Sequence, residues 1–224
     1  MCARTGVALD LTITMAEAPV LAGAHQPQVG VSSRGVVVID GQENTAQAGW
    51  RHVRGVTGQL RADQVLRIVV SGSAGNDNID LSAVGAGFSR MTGATVGGGE
   101  GRDIINGTAF DDTIHGGGGV DRIFGRDGND TLFGDDGDDE LWGDGNASYY
   151  DTRGGNDCLD GGVGDDDLHG GGGNDAMVGG PGADLFFESP YGGSDTIDID
   201  ATVYRPKTAW NAIEIVTPKP PPRW

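Results

Sequence analysis

Residues 98–187 divide without a gap into ten segments of nine residues, and this period decides the fold. They read GGEGRDIIN, GTAFDDTIH, GGGGVDRIF, GRDGNDTLF, GDDGDDELW, GDGNASYYD, TRGGNDCLD, GGVGDDDLH, GGGGNDAMV and GGPGADLFF. Position 1 is Gly in nine segments, position 4 is Gly in eight, position 6 is Asp in nine and position 8 is apolar or aromatic in all ten. A regular period of this kind is typical of a repeat architecture, in which each segment stacks on its neighbours.

The composition of this block excludes several classes of protein. It holds 21 acidic and 4 basic residues, 26 of the 42 glycines, and only 17 Leu, Ile, Val and Phe among its 90 residues. Composition alone would predict disorder, but a disordered linker has no reason to keep Asp and an apolar residue in phase. The whole chain of 224 residues has a net charge of −18, which excludes a phosphate-binding surface and makes nucleic acid an unexpected partner. No stretch approaches the 18 apolar residues of a membrane span.

The residue types at each position predict short strands joined by tight turns. Gly at positions 1 and 4 allows a positive φ, and positions 7 to 9 can form a strand in which position 8 faces one way and positions 7 and 9 the other. Stacked segments then bury one apolar residue in nine. We therefore expect an all-β fold, a right-handed parallel β-solenoid with two strands per turn of 18 residues.

These segments resemble the calcium-binding nonapeptide repeats of the repeats-in-toxin (RTX) family, whose pattern is G-G-x-G-x-D-x-U-x with U apolar. The resemblance covers residues 98–187 and extends less regularly to Gly72–Asp80 and Gly192–Asp198. It implies a β-roll in which each ion lies between two turns on the same side, bound by position-6 carboxylates and loop carbonyls. The metal ligands implied are Asp77, Asp103, Asp112, Asp121, Asp130, Asp139, Asp157, Asp166, Asp175, Asp184 and Asp195.

Calcium is the ion that this ligand chemistry favours. Carboxylates and carbonyls on flexible Gly turns suit its loose coordination by six to eight oxygens, whereas zinc would need recurring His or Cys. We expect about 6 to 8 ions. Eight divalent ions would nearly cancel the net charge of −17 that residues 98–187 carry. Like-charge repulsion and a thin core predict a roll that is unfolded at low calcium and folded at extracellular calcium.

One segment leaves the arrangement of the aspartates open. If residues 143–151 form a true repeat, Ser148 stands in one row with Asp112, Asp130, Asp166 and Asp184, while Asp157 stands in the other row with Asp139. If they form a nine-residue loop inserted into one turn, the later segments swap sides and Asp157 joins Asp112 and Asp130. Phe110, which replaces Gly at position 4, also makes the loop of the second segment doubtful.

We divide the chain into a β-rich region at 1–97, which includes the early repeat at 72–80, a calcium-binding β-roll at 98–198 and a C-terminal tail at 199–224. We favour a cap on the solenoid as the role of 1–97 over a partner- or ligand-binding module. Residues 1–25 make a poor signal peptide, because an Asp interrupts the apolar stretch. The resemblance implies a secreted, extracellular protein with the type I secretion machinery as a partner, although the ending TPKPPPRW departs from the usual tail.

We expect no enzymatic activity, because the sequence has no H-E-x-x-H and no G-x-S-x-G motif. The alternatives are a calcium-dependent enzyme, for example one acting on carbohydrates, and an adhesin that uses the roll as a scaffold. Thr113 and Thr131 are too few for a regular outward Thr array.

His115, His169 and Cys158 are expected at outward positions, and a disulfide between Cys158 and Cys2 is unsupported. The position-9 aromatics, Phe124, Trp142 and Phe133, are expected to pack under the N-terminal region.

Overall fold

A computed structural model describes residues 62–145, 154–187 and 194–198, together with the backbone of strands at 9–14, 29–31, 37–39, 42–43 and 212–213. Apart from one 3-10 turn at Ala62–Gln64, every element in this part of the chain is a strand. The described residues contain no helix that is long and apolar enough to cross a membrane.

The strands form two long parallel sheets. Sheet 1 has eight strands, which are in order β1 (Leu9–Thr14), β5 (Val65–Ser71), β7 (Gly93–Gly101), β9 (Thr113–Gly119), β11 (Thr131–Asp136), β13 (Cys158–Asp160), β15 (Ala176–Val178) and β17 (Thr196–Asp198). Sheet 2 has seven, which are β6 (Asn78–Asp80), β8 (Ile104–Asn106), β10 (Arg122–Phe124), β12 (Glu140–Trp142), β14 (Asp167–His169), β16 (Leu185–Phe187) and β18 (Ala212–Ile213). Every pair is parallel except β16 with β18. A third, antiparallel sheet contains β2 (Val29–Val31), β3 (Val37–Ile39) and β4 (Gln42–Glu43).

Successive strands alternate between sheets 1 and 2, which confirms the predicted parallel β-roll with two strands per turn. Thr131 pairs with Thr113 and Ile123 with Ile105, an offset of 18 residues in both sheets. Each short strand of the repeats occupies positions 7 to 9 of a segment, because Gly-rich turns bracket a run of three extended residues.

The core lies between the two sheets and contains one side chain per segment, as the period predicts. These side chains are at most 3% exposed: Ile105, Ile114, Ile123, Leu132, Leu141, Leu159, Leu168, Met177 and Phe186. Tyr150, the expected core residue of the sixth segment, lies outside the described residues.

The boundary predicted between residues 97 and 98 falls inside β7, so the stack begins before the regular period does. The turn from β5 to β7 has an offset of 26 residues, with Val69 beside Thr95. The longer connection contains a compact apolar cluster, because several large side chains of residues 81–91 pack in the interior. The buried members of that connection are Leu81, Val84, Phe88 and Met91.

Candidate metal site

The loops that lead into the strands stack in two rows, and each row holds a column of aspartates at position 6. Ladder 1 leads into sheet 1 and consists of Asp112, Asp130, Asp157, Asp175 and Asp195. Ladder 2 leads into sheet 2 and consists of Asp77, Asp103, Asp121, Asp139, Asp166 and Asp184. All eleven aspartates singled out in the sequence therefore lie in these two columns.

Each ladder is joined by one recurring hydrogen bond. The backbone N–H of Asp103 donates to Oδ1 of Asp121 at 2.8 Å, and the N–H of Asp112 donates to Oδ1 of Asp130 at 2.7 Å. The bond repeats at every step, so one carboxylate oxygen of each aspartate after the first in ladder 2 is bound to the preceding turn. The other oxygen, Oδ2, points back into the aspartate's own loop.

The ladders also decide between the two arrangements of residues 143–151. The N–H of Asp130 donates to Asp157 and the N–H of Asp139 donates to Asp166, both at 2.8 Å and across 27 residues. The strands agree, since Thr131 pairs with Cys158 and Glu140 with Asp167. Nine extra residues thus enter one turn. The arrangement with Ser148 in a row is wrong because a true repeat would keep the offset at 18; residues 146–153 themselves lie outside the described part of the chain.

Eight of the aspartates have a buried carboxylate oxygen that has no hydrogen-bond partner. The atom is Oδ2 in every case, in Asp103, Asp121, Asp130, Asp139, Asp157, Asp166, Asp175 and Asp184. A buried carboxylate oxygen without a partner costs substantial free energy. Eight such atoms in equivalent places indicate a ligand that the side chains alone do not supply.

Glycine at position 1 leaves space around each of these oxygens. A Cβ on Gly116 would lie 2.5 Å from Oδ2 of Asp121 and 2.8 Å from the carbonyl oxygen of Gly134. The same two atom types converge at Gly98, beside Asp103 and the carbonyl of Gly116. Six of the eight loops thus provide a cradle lined by one carboxylate oxygen and by a carbonyl oxygen of the next turn, and in the other two, at Gly170 and Gly179, the carboxylate oxygen alone lies beside the glycine.

These cradles fit a hard cation. The described residues contain no group of three His, Cys, Asp or Glu side chains that could hold a metal. That result follows from the geometry, because each loop contributes one carboxylate and the further oxygens belong to the backbone. Carboxylate and carbonyl oxygens on glycine turns are the donor set that calcium accepts.

Burial raises the pKa values of eight ladder carboxyl groups, and neighbouring carboxylates raise them further; these groups are Asp103, Asp112, Asp121, Asp130, Asp139, Asp157, Asp166 and Asp184. The pKa reaches about 9 in Asp130 and about 8 in Asp157, the two aspartates on either side of the inserted residues. It is about 7 in Asp139 and Asp166. Without a cation these groups hold protons at or near neutral pH, because the ionised form is poorly solvated.

Three aspartates of the predicted set differ from the other eight. Oδ2 of Asp77 accepts from the N–H and the hydroxyl of Ser73 at 2.7 and 3.0 Å. Oδ2 of Asp112 accepts from the N–H of Thr108 at 2.6 Å, and its Oδ1 accepts from the Thr108 hydroxyl at 2.8 Å. Asp195 is half-buried and accepts from the N–H of Asp175 at 2.9 Å.

The sequence reasoning missed two sets of residues in the loops. The hydroxyl residues Ser73 and Thr108 were visible as departures from Gly at position 2. The position-5 side chains form an outer ladder, in which Oδ1 of Asn129 accepts from the N–H of Asn156 at 2.8 Å and Oδ1 of Asn156 from the N–H of Asn174 at 2.8 Å. The recurring Asn-Asp pairs in GRDGND, RGGNDC and GGGNDA were the signal for it.

The outward face of sheet 2 departs from expectation at His169. Its ring stacks between Trp142 and Phe187, with centroid distances of 3.7 and 4.2 Å. Burial between the rings lowers the pKa of His169 to about 4, so the residue is not the ordinary surface histidine that was predicted. Parallel register places rings of adjacent turns face to face, which is why these aromatics pack on one another. Contact with residues before 62 lies outside the described side chains.

Cys158 and His115 are the other two residues that the sequence places at outward positions. Cys158 is exposed and is a free thiol, as expected. His115 is exposed, stacks on Phe133 at 4.4 Å and lies 3.0 Å from a carboxylate oxygen of Asp135. Neither residue faces a cradle, so neither contributes to the candidate metal site.

Comparison with known families agrees with the geometry of the loops. The family model described as RTX calcium-binding nonapeptide repeat (4 copies) matches residues 97–132, 116–149 and 151–186. No curated protein and no solved structure shows significant similarity to the chain. Residues 97–186, which hold nine of the eleven ladder aspartates, are thus similar to the RTX calcium-binding nonapeptide repeat.

Proposed function

We propose that this chain is a secreted calcium-binding β-roll whose repeats become ordered when calcium enters the two ladders. The observation that carries the proposal is the set of eight buried Oδ2 atoms that have no hydrogen-bond partner, each beside a position-1 glycine. One ion for each of these atoms gives eight sites, within the range of 6 to 8 inferred from the sequence.

The charge of the repeats supports the same number. Residues 98–187 carry a net charge of −17, and their aspartates are held in columns of buried carboxylates. Repulsion within such a column opposes folding, whereas a bound divalent cation both reduces the repulsion and gives the Oδ2 atoms a partner, since they become its ligands. Binding that occurs only in the folded state then contributes directly to folding free energy.

The export role is part of the proposal. Calcium sites of extracellular modules have dissociation constants of roughly 10⁻⁴ to 10⁻³ M, so the repeats would stay unfolded inside the cell and fold outside it. An unfolded chain suits passage through a narrow export channel, with type I secretion machinery as the partner. We expect the protein in the medium of the producing cells and not in their cytosol.

The arrangement of the side chains supports a structural role and no catalysis. Eight of the eleven ladder aspartates are buried and are hydrogen-bonded to neighbouring turns, so a substrate could not reach these eight. An adhesive Thr array is not favoured, because the outward column of Thr95, Thr113 and Thr131 ends at Cys158 and Ala176.

Calcium titration of the chelated protein tests the proposal. Far-UV circular dichroism at pH 7.5 is expected to change from largely disordered to β-rich as calcium is added, and calorimetry to count about eight ions. Magnesium at the same concentrations is expected to cause little change, because it demands octahedral geometry. A chain that is fully β-rich in chelator and that binds no calcium would contradict the proposal.

Filling one cradle should remove one site. In Gly116→Ala the new methyl group would lie beside Oδ2 of Asp121, and we expect a loss of about 1–3 kcal/mol in stability of the calcium-loaded protein together with one ion fewer. Gly97→Ala is the matched control, since nothing lies within 4 Å of a Cβ there; it should change stability by less than about 1 kcal/mol. Calorimetry and denaturant unfolding measure both effects, and equal behaviour of the two variants would exclude the cradle as the ion site.

A further inference from the structure

The residue at position 2 adopts one of two backbone conformations. The conformation correlates with whether Oδ2 of the aspartate in the same loop has a hydrogen-bond partner. In seven of the eight loops with an orphaned Oδ2, position 2 has a positive φ. These residues are Gly99, Gly117, Arg126, Asp135, Gly162, Gly171 and Gly180, with φ from 71° to 112°. The eighth loop, which ends at Asp157, carries the inserted residues. Ser73 and Thr108, by contrast, are not among the described residues with positive φ.

The conformation at position 2 decides where its backbone N–H points. In two of the loops with a positive φ at position 2 the N–H is directed toward the next turn of the roll: Arg126 donates to the carbonyl of Gly143 at 2.9 Å, and Gly162 donates to the carbonyl of Gly179 at 3.1 Å. The N–H of Thr108 instead turns inward and donates to Asp112. A β-branched residue strongly disfavours positive φ, so Thr is restricted to the inward arrangement.

An inward N–H competes with a cation for the same carboxylate. In both hydroxyl-bearing loops the N–H and the hydroxyl together supply two donors to one aspartate, at 2.6 to 3.0 Å. The partially positive hydrogens then take up lone pairs of the carboxylate that a cation would otherwise use. A cation placed in the cradle would lose the Oδ2 lone pair and would be repelled by the N–H dipole.

We propose that position 2 determines whether a loop binds calcium: a left-handed residue leaves Oδ2 open for the ion, whereas Ser or Thr closes the loop on its own aspartate. Asp77 and Asp112, which the repeat pattern marks as ligands, therefore bind no ion and act as metal-free caps. This inference rests on the proposed calcium binding and concerns which loops take part in it.

The position of the two closed loops gives them a role. Asp77 is the first aspartate of ladder 2 and Asp112 is the first of ladder 1, so both closed loops lie at the N-terminal start of the ion-binding loops. The apolar cluster of the long first turn, with Phe88 and Leu81 fully buried, lies at the same end. The roll thus begins with turns that fold without metal. The strands of these turns form an edge on which the calcium-dependent turns can pair.

Two opposite substitutions in the full-length chain test the role of position 2. Thr108→Gly should open the loop and raise the number of bound calcium ions by one, and Arg126→Thr should close a loop and lower it by one. Asp112→Asn should leave the number unchanged, while Asp130→Asn, its neighbour in ladder 1, should lower it by one. The measurement is calorimetric ion counting, with circular dichroism at saturating calcium to confirm that each variant is folded.

A second readout does not depend on ion counting. In chelator, amides of residues 93–113 in Thr108→Gly are expected to exchange with deuterium about tenfold faster than in the parent chain, because the loss of hydrogen bonds to a carboxylate weakens the cap. If Thr108→Gly does not fold, Ser73→Gly in the more open loop of ladder 2 carries the same expectation of one added ion.

The outcomes separate this inference from the proposed function. A parent chain that binds no calcium contradicts both. A parent chain that binds calcium and loses an ion in Asp112→Asn contradicts the caps alone. An unchanged count in folded Thr108→Gly, Ser73→Gly and Arg126→Thr shows that position 2 does not select the ion-binding loops.

Discussion

Acidification of the chelated protein from pH 8 to pH 5 is expected to restore β-structure in the absence of calcium. The folded state raises the pKa of eight of its ladder carboxyl groups, chiefly by burial, to about 6 in Asp103 and Asp184 and to about 9 in Asp130. Above the ordinary pKa of about 3.9 the folded state therefore binds more protons than the unfolded state. Stability of the metal-free roll falls as the pH rises from about 4 through these values, by about 1.4 kcal/mol for each unit of pKa shift of each group.

Circular dichroism and amide exchange in chelator at several pH values measure this effect. Asp130→Asn is the control, because an amide does not ionise and its variant should lose less structure between pH 5 and pH 8. Calcium must displace the same protons, so its apparent affinity should fall at low pH and its binding near pH 7.5 should release protons from Asp130 and Asp157. A chelated chain more ordered at pH 8 than at pH 5 would contradict the raised pKa values.

The nonapeptide period predicted most of the roll because each position of the repeat has one structural role. Position 8 of every described segment is a core residue, and the strands occupy positions 7 to 9 in both sheets. Residues 143–151 were ambiguous because Gly143 and Tyr150 satisfy the repeat pattern although Ser148 does not. A missing aspartate is consistent with either a weak repeat or an insertion, and the 27-residue offset in the strands and in the ladder hydrogen bonds distinguishes them.

The N-terminal turns could not be predicted from the period, since they do not follow it. The turn from β5 to β7 is held by apolar residues at irregular spacing, and its 26-residue length depends on how those side chains fill the interior. The closed loops were visible in GSAGND and GTAFDD, but their meaning depends on the direction of one backbone N–H. The burial of His169 likewise depends on the register that places it between Trp142 and Phe187.

The apolar cluster of the first long turn should decide how the protein behaves without calcium. Phe88 is fully buried, and its backbone is fixed by hydrogen bonds to Gly85 and from Met91 at 2.8 and 2.9 Å. Phe88→Ala is expected to cost about 3–5 kcal/mol, which is the usual cost of deleting a buried aromatic ring. A cluster of this size has no replacement in the repeats, where each segment contributes one core side chain. The variant should therefore lose the structure that residues 62–112 retain in chelator.

The same substitution should also raise the calcium concentration at which the repeats fold. The stability of a stacked repeat protein is approximately the sum of a term for each turn and a term for each interface between neighbouring turns. Loss of the folded N-terminal turns therefore removes an interface that stabilises the calcium-binding turns. Phe133→Ala is the matched control, because that ring lies on the outward face against His115 and its loss should cost about 1 kcal/mol. Amide exchange in chelator and the midpoint of the calcium titration measure the two variants side by side. If Phe88→Ala shifts the midpoint no further than Phe133→Ala, the repeats fold without help from the N-terminal turns, and calcium alone orders the roll.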